Sequence, residues 1–172
     1  ENSIDARANE IKIEIENGGK KKIKVSDNGI GMNSEDTLLS FKRHATSKIQ
    51  NEEDLFNINS LGFRGEALAS IAEVSNVKII TKTKDLLFGT FLEIEAGKVI
   101  KQEDIGCPNG TIMEVNDIFF NVPARKKYLK SDEIELNQIL RIITKYALIN
   151  HNISIILIHN DKELINSPKT DS

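Results

Sequence analysis

Two glycine-bearing corners in this chain carry residues able to do chemistry on an anion or a flat ring. Gly62-Phe63-Arg64-Gly65 stands directly before Glu66, Ala67 and Leu68, the mouth of an unbroken run of helix formers. The first N–H groups of a helix lack internal partners, and the macrodipole adds about half a positive charge there. Glycines let such a backbone come close to phosphate oxygens. The same two glycines would equally serve to turn the chain before a core helix. At the other corner, Asp27-Asn28-Gly29-Ile30-Gly31, one carboxylate stands beside two residues without Cβ. A carboxylate accepts a hydrogen bond from an exocyclic amine, and the glycines leave room for a ring against the backbone. A tight turn explains this stretch equally well.

Other chemistries are excluded by pattern. An EF-hand would need oxygen at the third loop position and glycine at the sixth, where Gly29 and Met32 stand. No G-x-x-x-x-G-K-[ST], G-x-G-x-x-G, H-E-x-x-H, paired-cysteine or G-x-S-x-G pattern occurs. His44, His151 and His159 have no partners at ligand spacing. The run Arg125-Lys126-Lys127-Tyr128-Leu129-Lys130 could touch nucleic-acid phosphates, although a solvated loop face accounts for it more simply. Lys20-Lys21-Lys22 reads as a solvated turn.

The bulk numbers fit one globular domain. The chain has 172 residues, 39% apolar and 28% charged, and a net charge of −3. No global positive field recruits nucleic acid or an anionic membrane. The single cysteine, Cys107, excludes an internal disulfide and points to a reducing, cytoplasmic setting. No apolar run is long enough for a membrane span or a signal peptide.

The elements that must position the corners are legible as periods. Ile11, Ile13 and Ile15 alternate with charged residues as a half-buried strand does, and Ile23 and Val25 suggest a hairpin partner after Asn17-Gly18-Gly19. Residues 34–48 read as a short helix capped by Asn33 or Ser34. Leu68, Ile71 and Ala72 mark one face of the next helix. Strands follow at 77–83, 89–96, 98–104 and 110–115. Asp132 to Ile149 is the clearest helix, with Asp132 and Glu135 resembling a capping box and an apolar stripe at Leu136, Ile139, Leu140, Ile143 and Ala147. Residues 153–159 close the chain as a last strand. Strands grouped together with helices among them predict an α+β fold, a sandwich with helices over one face of a mixed sheet.

Together and in this order, ENSIDA, DNGIGM, RHATSK, LGFRGEALASI, PNGT and FFNVPARKKYLK resemble the N-terminal ATPase domain of the MutL family of DNA mismatch-repair proteins. The resemblance covers the entire chain. It implies a two-layer α/β sandwich on a mainly antiparallel sheet (the Bergerat-type fold shared with gyrase, heat-shock chaperones and histidine kinases), which binds ATP without a Walker-type loop. It implies that Asn2 places its amide oxygen on a Mg²⁺ ion bridging the phosphates. Asp27 would bond the adenine amino group, with Gly31 packed close to the base. Thr46, Ser47 and Lys48 would contact phosphates from a lid spanning roughly 43–64. Gly62, Phe63, Arg64, Gly65, Glu66, Ala67 and Leu68 would wrap the phosphate chain, and Thr111 would support the adenine pocket through water.

The resemblance also implies a cytoplasmic switch in mismatch repair. ATP would order the lid and favour a homodimer of N-terminal regions, signalling from the mismatch-recognition protein MutS to strand incision on DNA. In this family the general base is a glutamate four residues before the Mg²⁺-binding asparagine, outside this sequence, and Glu1 does not match it. Residues 1–172 are therefore expected to be an ATP-binding domain truncated in its first helix and lacking the transducer domain that follows. Such a piece would bind nucleotide and hydrolyse it poorly. Two rivals are a gyrase, chaperone or kinase ATPase and a binding module that uses no nucleotide. The GFRGEA lid speaks against the first.

Overall fold

The alternating segments pair into one eight-stranded sheet. The computed structural model describes residues 1–42 and 66–170. The strands are β1 (Glu10–Glu16), β2 (Lys22–Asp27), β3 (Asn76–Lys82), β4 (Gly89–Glu95), β5 (Lys98–Ile105), β6 (Gly110–Asn116), β7 (Ser154–His159) and β8 (Lys162–Ser167). Their spatial order is β5-β4-β3-β6-β2-β1-β7-β8. Only β1 and β7 run parallel among the pairings of the described strands. The helices are α1 (Asn2–Asp5), α2 (Ser34–Leu39), α3 (Ala67–Ala72), α4 (Pro123–Lys126) and α5 (Asp132–Ile149).

The register gathers most of the large apolar residues into rows on one face. Residues directly opposite in neighbouring strands share a face. Ile94, Val77, Val115, Ile23 and Ile15 form one such row across five strands. Leu92, Ile79, Met113, Val25, Ile13 and Leu157 form the next. Two clusters grow on this face. The α5 stripe of Leu136, Ile139, Leu140, Ile143 and Ala147 covers β1 and β7, while Leu38 of α2 and Ile71 and Ala72 of α3 cover β3 and β4. Each fully buried Ile or Leu contributes about 1.5–3 kcal/mol. The opposite face carries a charged row. There Glu14, Lys24, Glu114, Lys78, Glu93 and Lys101 alternate in sign across six strands. Each opposite-charge neighbour adds a few tenths of a kcal/mol, reduced by exposure. The fold is thus an α+β sandwich with α2, α3 and α5 on one side of the sheet, as the strand grouping implied.

Four local expectations need correction. The strand at 153–159 is not the last, because Lys162–Ser167 returns antiparallel beside it. Its polar sequence, KELINS, has no apolar alternation to announce it. The cap of α5 is Ser131, and Glu135 accepts the Lys130 N–H (2.7 Å), so the capping box at Asp132 does not form. The helix expected over 34–48 ends at Leu39 within the described residues, capped as foreseen by Asn33, whose Oδ1 accepts from Asp36 N–H at 2.8 Å. Part of the basic run is helical rather than loop, since Pro123 starts the short α4.

Candidate nucleotide site

The apolar rows stop short at one end of the sheet. Continuing the core-face phase by two residues gives Thr90, Thr81, Thr111 and Asp27, cross-strand neighbours on β4, β3, β6 and β2. Four adjacent strands therefore turn polar in the same row. Thr81 and Thr90 are buried, while Asp27 and Thr111 are half-buried. Buried polar groups must find partners, and these do. Asp27 Oδ2 accepts from the Ser3 hydroxyl at 2.7 Å, and Oδ1 accepts from Gly29 N–H at 2.9 Å. Each carboxylate oxygen keeps a further lone pair.

The glycine corner is held by four neighbours. Ile30 N–H donates to the Ala6 carbonyl (2.9 Å), and Met32 N–H donates to Thr81 Oγ1 (2.9 Å). The Asn28 amide oxygen accepts from Asn9 N–H (3.0 Å) and Glu10 N–H (3.1 Å), joining the corner to the start of β1. Gly31 has a φ of +69°, and a Cβ there would run into the Lys82 carbonyl at the end of β3. Gly110 has a φ of +113°, and its Cβ would strike the Asp27 carbonyl. Both glycines let backbone meet backbone. At Gly31 the missing Cβ serves the packing of the corner on β3, a role that the sequence reading did not foresee.

Helix α1 completes the wall. Ser3 is buried against Asp27, which leaves its neighbour Asn2 exposed at the start of the same helix. Glu1 precedes Asn2 as the N-cap residue, and its carboxylate accepts a hydrogen bond from the Tyr146 hydroxyl of α5. That bond, with partial burial and the charges of Glu1 and Asp5, pushes the Tyr146 phenol up to about 12 from an ordinary 10.0. A raised folded-state value stabilises the fold fully below the unfolded pKa of about 10. The contribution is then lost as pH climbs towards 12. The stability difference between the natural chain and Tyr146→Phe should accordingly shrink between pH 10 and 12 in alkaline unfolding curves. A difference that stays constant over that range would contradict the Tyr146–Glu1 bond.

The structure thus brings Asn2, Asp27, Gly31 and Thr111 to one end of the sheet. Glu66 and Leu68 are half-buried and Ala67 is exposed at the start of α3, where Glu66 provides no side-chain cap. Ile71 and Ala72 of α3 share their apolar cluster with Met32, beside Gly31. Thr46, Ser47, Lys48, Gly62, Phe63, Arg64 and Gly65 lie outside the described residues. Ser3 and Thr81 escaped the sequence reading. Thr81 had left a signal, a polar residue at the core phase of Val77 and Ile79. Ser3 had left none.

The family model described as histidine kinase-, DNA gyrase B-, and HSP90-like ATPase matches residues 1–122. The DNA mismatch repair protein MutL of Koribacter versatilis (strain Ellin345) is 53% identical over 148 residues, 86% of this chain and 23% of that protein. MutL of Desulforamulus reducens is 49% identical over 172 residues, 100% of this chain and 27% of its own length. The chain therefore spans about a quarter of these curated relatives. The Aquifex aeolicus MutL ATPase domain complexed with ADP superposes with a TM-score of 0.77 at 32% identity, covering 99% of this chain and 60% of that one. A match over residues 1–122 takes in α1, the Asp27 corner, the start of α3 and Thr111. The chain belongs to the histidine kinase-, DNA gyrase B-, and HSP90-like ATPase family, and it is similar along its whole length to the MutL proteins.

Proposed function

We propose that the polar end of the sheet binds adenine nucleotide and that the longer protein hydrolyses ATP as a switch in DNA mismatch repair. The observation that carries this is Asp27. Its two oxygens are fixed by Ser3 and Gly29, which leaves lone pairs for a base amine. Thr111 sits opposite it on β6. The phosphates would run from Asn2 towards the start of α3, where Glu66, Ala67 and Leu68 open the helix. Thr46, Ser47, Lys48 and the 62–65 glycine segment would complete their enclosure.

The donor set suits Mg²⁺. Asn2 offers one hard amide oxygen, and among the described residues no group of three or more His, Cys, Asp or Glu could hold a metal ion. Magnesium keeps several waters and is commonly held by one or two protein oxygens together with substrate phosphates. When bound it would neutralise and orient the triphosphate. Asn2→Ala should retain the fold but lose most of the tightening that Mg²⁺ gives to ATP binding, read by calorimetry with and without the ion. Equal Mg²⁺ dependence in the variant would remove Asn2 from the site.

Hydrolysis needs a base to activate water. We assign it to the glutamate that the family carries four residues before Asn2, so catalysis is proposed for the whole protein. Ordering of residues 43–64 by ATP would favour dimerisation of N-terminal regions, with MutS and DNA as partners in the cytoplasm. Among the described residues no helix is long and apolar enough to cross a membrane. An ATPase assay on the full-length protein tests this reading. Slow Mg²⁺-dependent turnover is expected, and none at all would leave a binding module without enzymatic function.

A further inference from the structure

The Thr81 hydroxyl is among the most completely engaged side-chain groups of the site. Its residue is 0% exposed, so bulk water does not compete for its oxygen. Three groups surround Oγ1: Met32 N–H at 2.9 Å, the Gly110 carbonyl at 3.0 Å and Thr111 Oγ1 at 3.0 Å. A hydroxyl has one proton and two lone pairs. Met32 N–H can only donate, so it occupies one lone pair. The Gly110 carbonyl can only accept, so it takes the proton. Thr111 must then donate to the remaining lone pair. With its own proton committed to Thr81, Thr111 can offer other groups only lone pairs.

From this proton count we infer that Thr81 is a positioning and specificity-determining residue of the nucleotide site. It acts through Thr111 and rests on the site proposed above. Thr111 lies directly across from Asp27 on the neighbouring strand and is half-buried. Asp27 is likewise an acceptor, its oxygens already oriented by Ser3 and Gly29. The two side chains make an acceptor-only wall. A base edge bearing an amine, or a water donating on its behalf, satisfies that wall. A carbonyl facing it places acceptor against acceptor, and that one contact goes unmade. Thr81 therefore helps the wall to distinguish a 6-amino from a 6-oxo purine without itself reaching the base. It also ties the corners of Gly31 and Gly110 together, through Met32 and the Gly110 carbonyl.

The test compares ATP with inosine triphosphate, which carries a carbonyl in place of the amine, by measuring Kd for each on the full chain. Thr81→Val keeps the volume but removes the hydroxyl, freeing the Thr111 proton to turn towards a ligand. The preference for ATP should fall about tenfold, the scale expected when one unpaired buried contact is relieved. Thr81→Ser should restore it. In a Thr111→Val background, Thr81→Val should change the preference no further. A merely structural Thr81 would weaken both nucleotides equally and leave the ratio within twofold, which overturns the inference while sparing the site. Should Thr81→Val not fold, Thr111→Val carries the test, because an unchanged ratio there equally overturns it. A natural chain that binds neither nucleotide would bring down the site reading and this inference together.

Discussion

Asp27→Asn is expected to weaken adenine-nucleotide binding about 5- to 150-fold while leaving the fold intact, the range given by about 1–3 kcal/mol for one mismatched buried contact. The local geometry dictates which atom changes. Gly29 N–H points at Oδ1, so the new amide must keep its oxygen there. Its nitrogen then replaces Oδ2, beside the Ser3 hydroxyl. Ser3 can rotate and accept, so the protein's own contacts survive. What does not survive is the free lone pair. The amide now presents a hydrogen where the base amine also presents one. Thermal unfolding should shift little, while calorimetric Kd for ADP or ATP rises. Tight binding by Asp27→Asn would show that another residue reads the base.

The second large effect is conformational. Gly31→Ala should lower folding stability by about 2–5 kcal/mol. An L-residue at positive φ costs about 1–2 kcal/mol, and overpacking commonly adds about 1–3. Gly31 has a φ of +69°, and the added methyl would meet the backbone carbonyl of Lys82, which cannot swing aside as a flexible side chain can. Gly106→Ala provides the contrast, since a Cβ there meets nothing within 4 Å. Denaturant unfolding of the two variants should separate them clearly. Similar stability for both would mean that the Gly31 corner is not packed on β3 as described.

Much of this architecture was legible because it rests on local periods. Ile11, Ile13 and Ile15 announce a strand with one buried face, and the stripe from Leu136 to Ala147 announces the helix that covers it. The site was legible on other grounds: Asp27 opens a corner with two glycines, and Thr111 was marked only by the family resemblance. What the sequence hid is non-local. Ser3 meets Asp27 across 24 residues, and Thr81 meets Met32 across 49 and Gly110 across 29. No period relates such positions, because the pairing of β3 with β6 and of β2 with β6 decides them. The reason for Gly31 was hidden likewise, since Lys82 approaches it only once the sheet is assembled. β8 was missed because an edge strand with polar residues on both faces carries no amphipathic signature.

Hydrogen exchange of the full chain, with and without a non-hydrolysable ATP analogue and Mg²⁺, tests the nucleotide site most directly. Slowed exchange is predicted at Asp27–Gly31, Gly110–Thr111 and Glu66–Leu68, with β7 and β8 unchanged. Nucleotide that leaves all three segments exchanging as before, under conditions where calorimetry reports binding, would place the ligand elsewhere on the molecule and contradict the account.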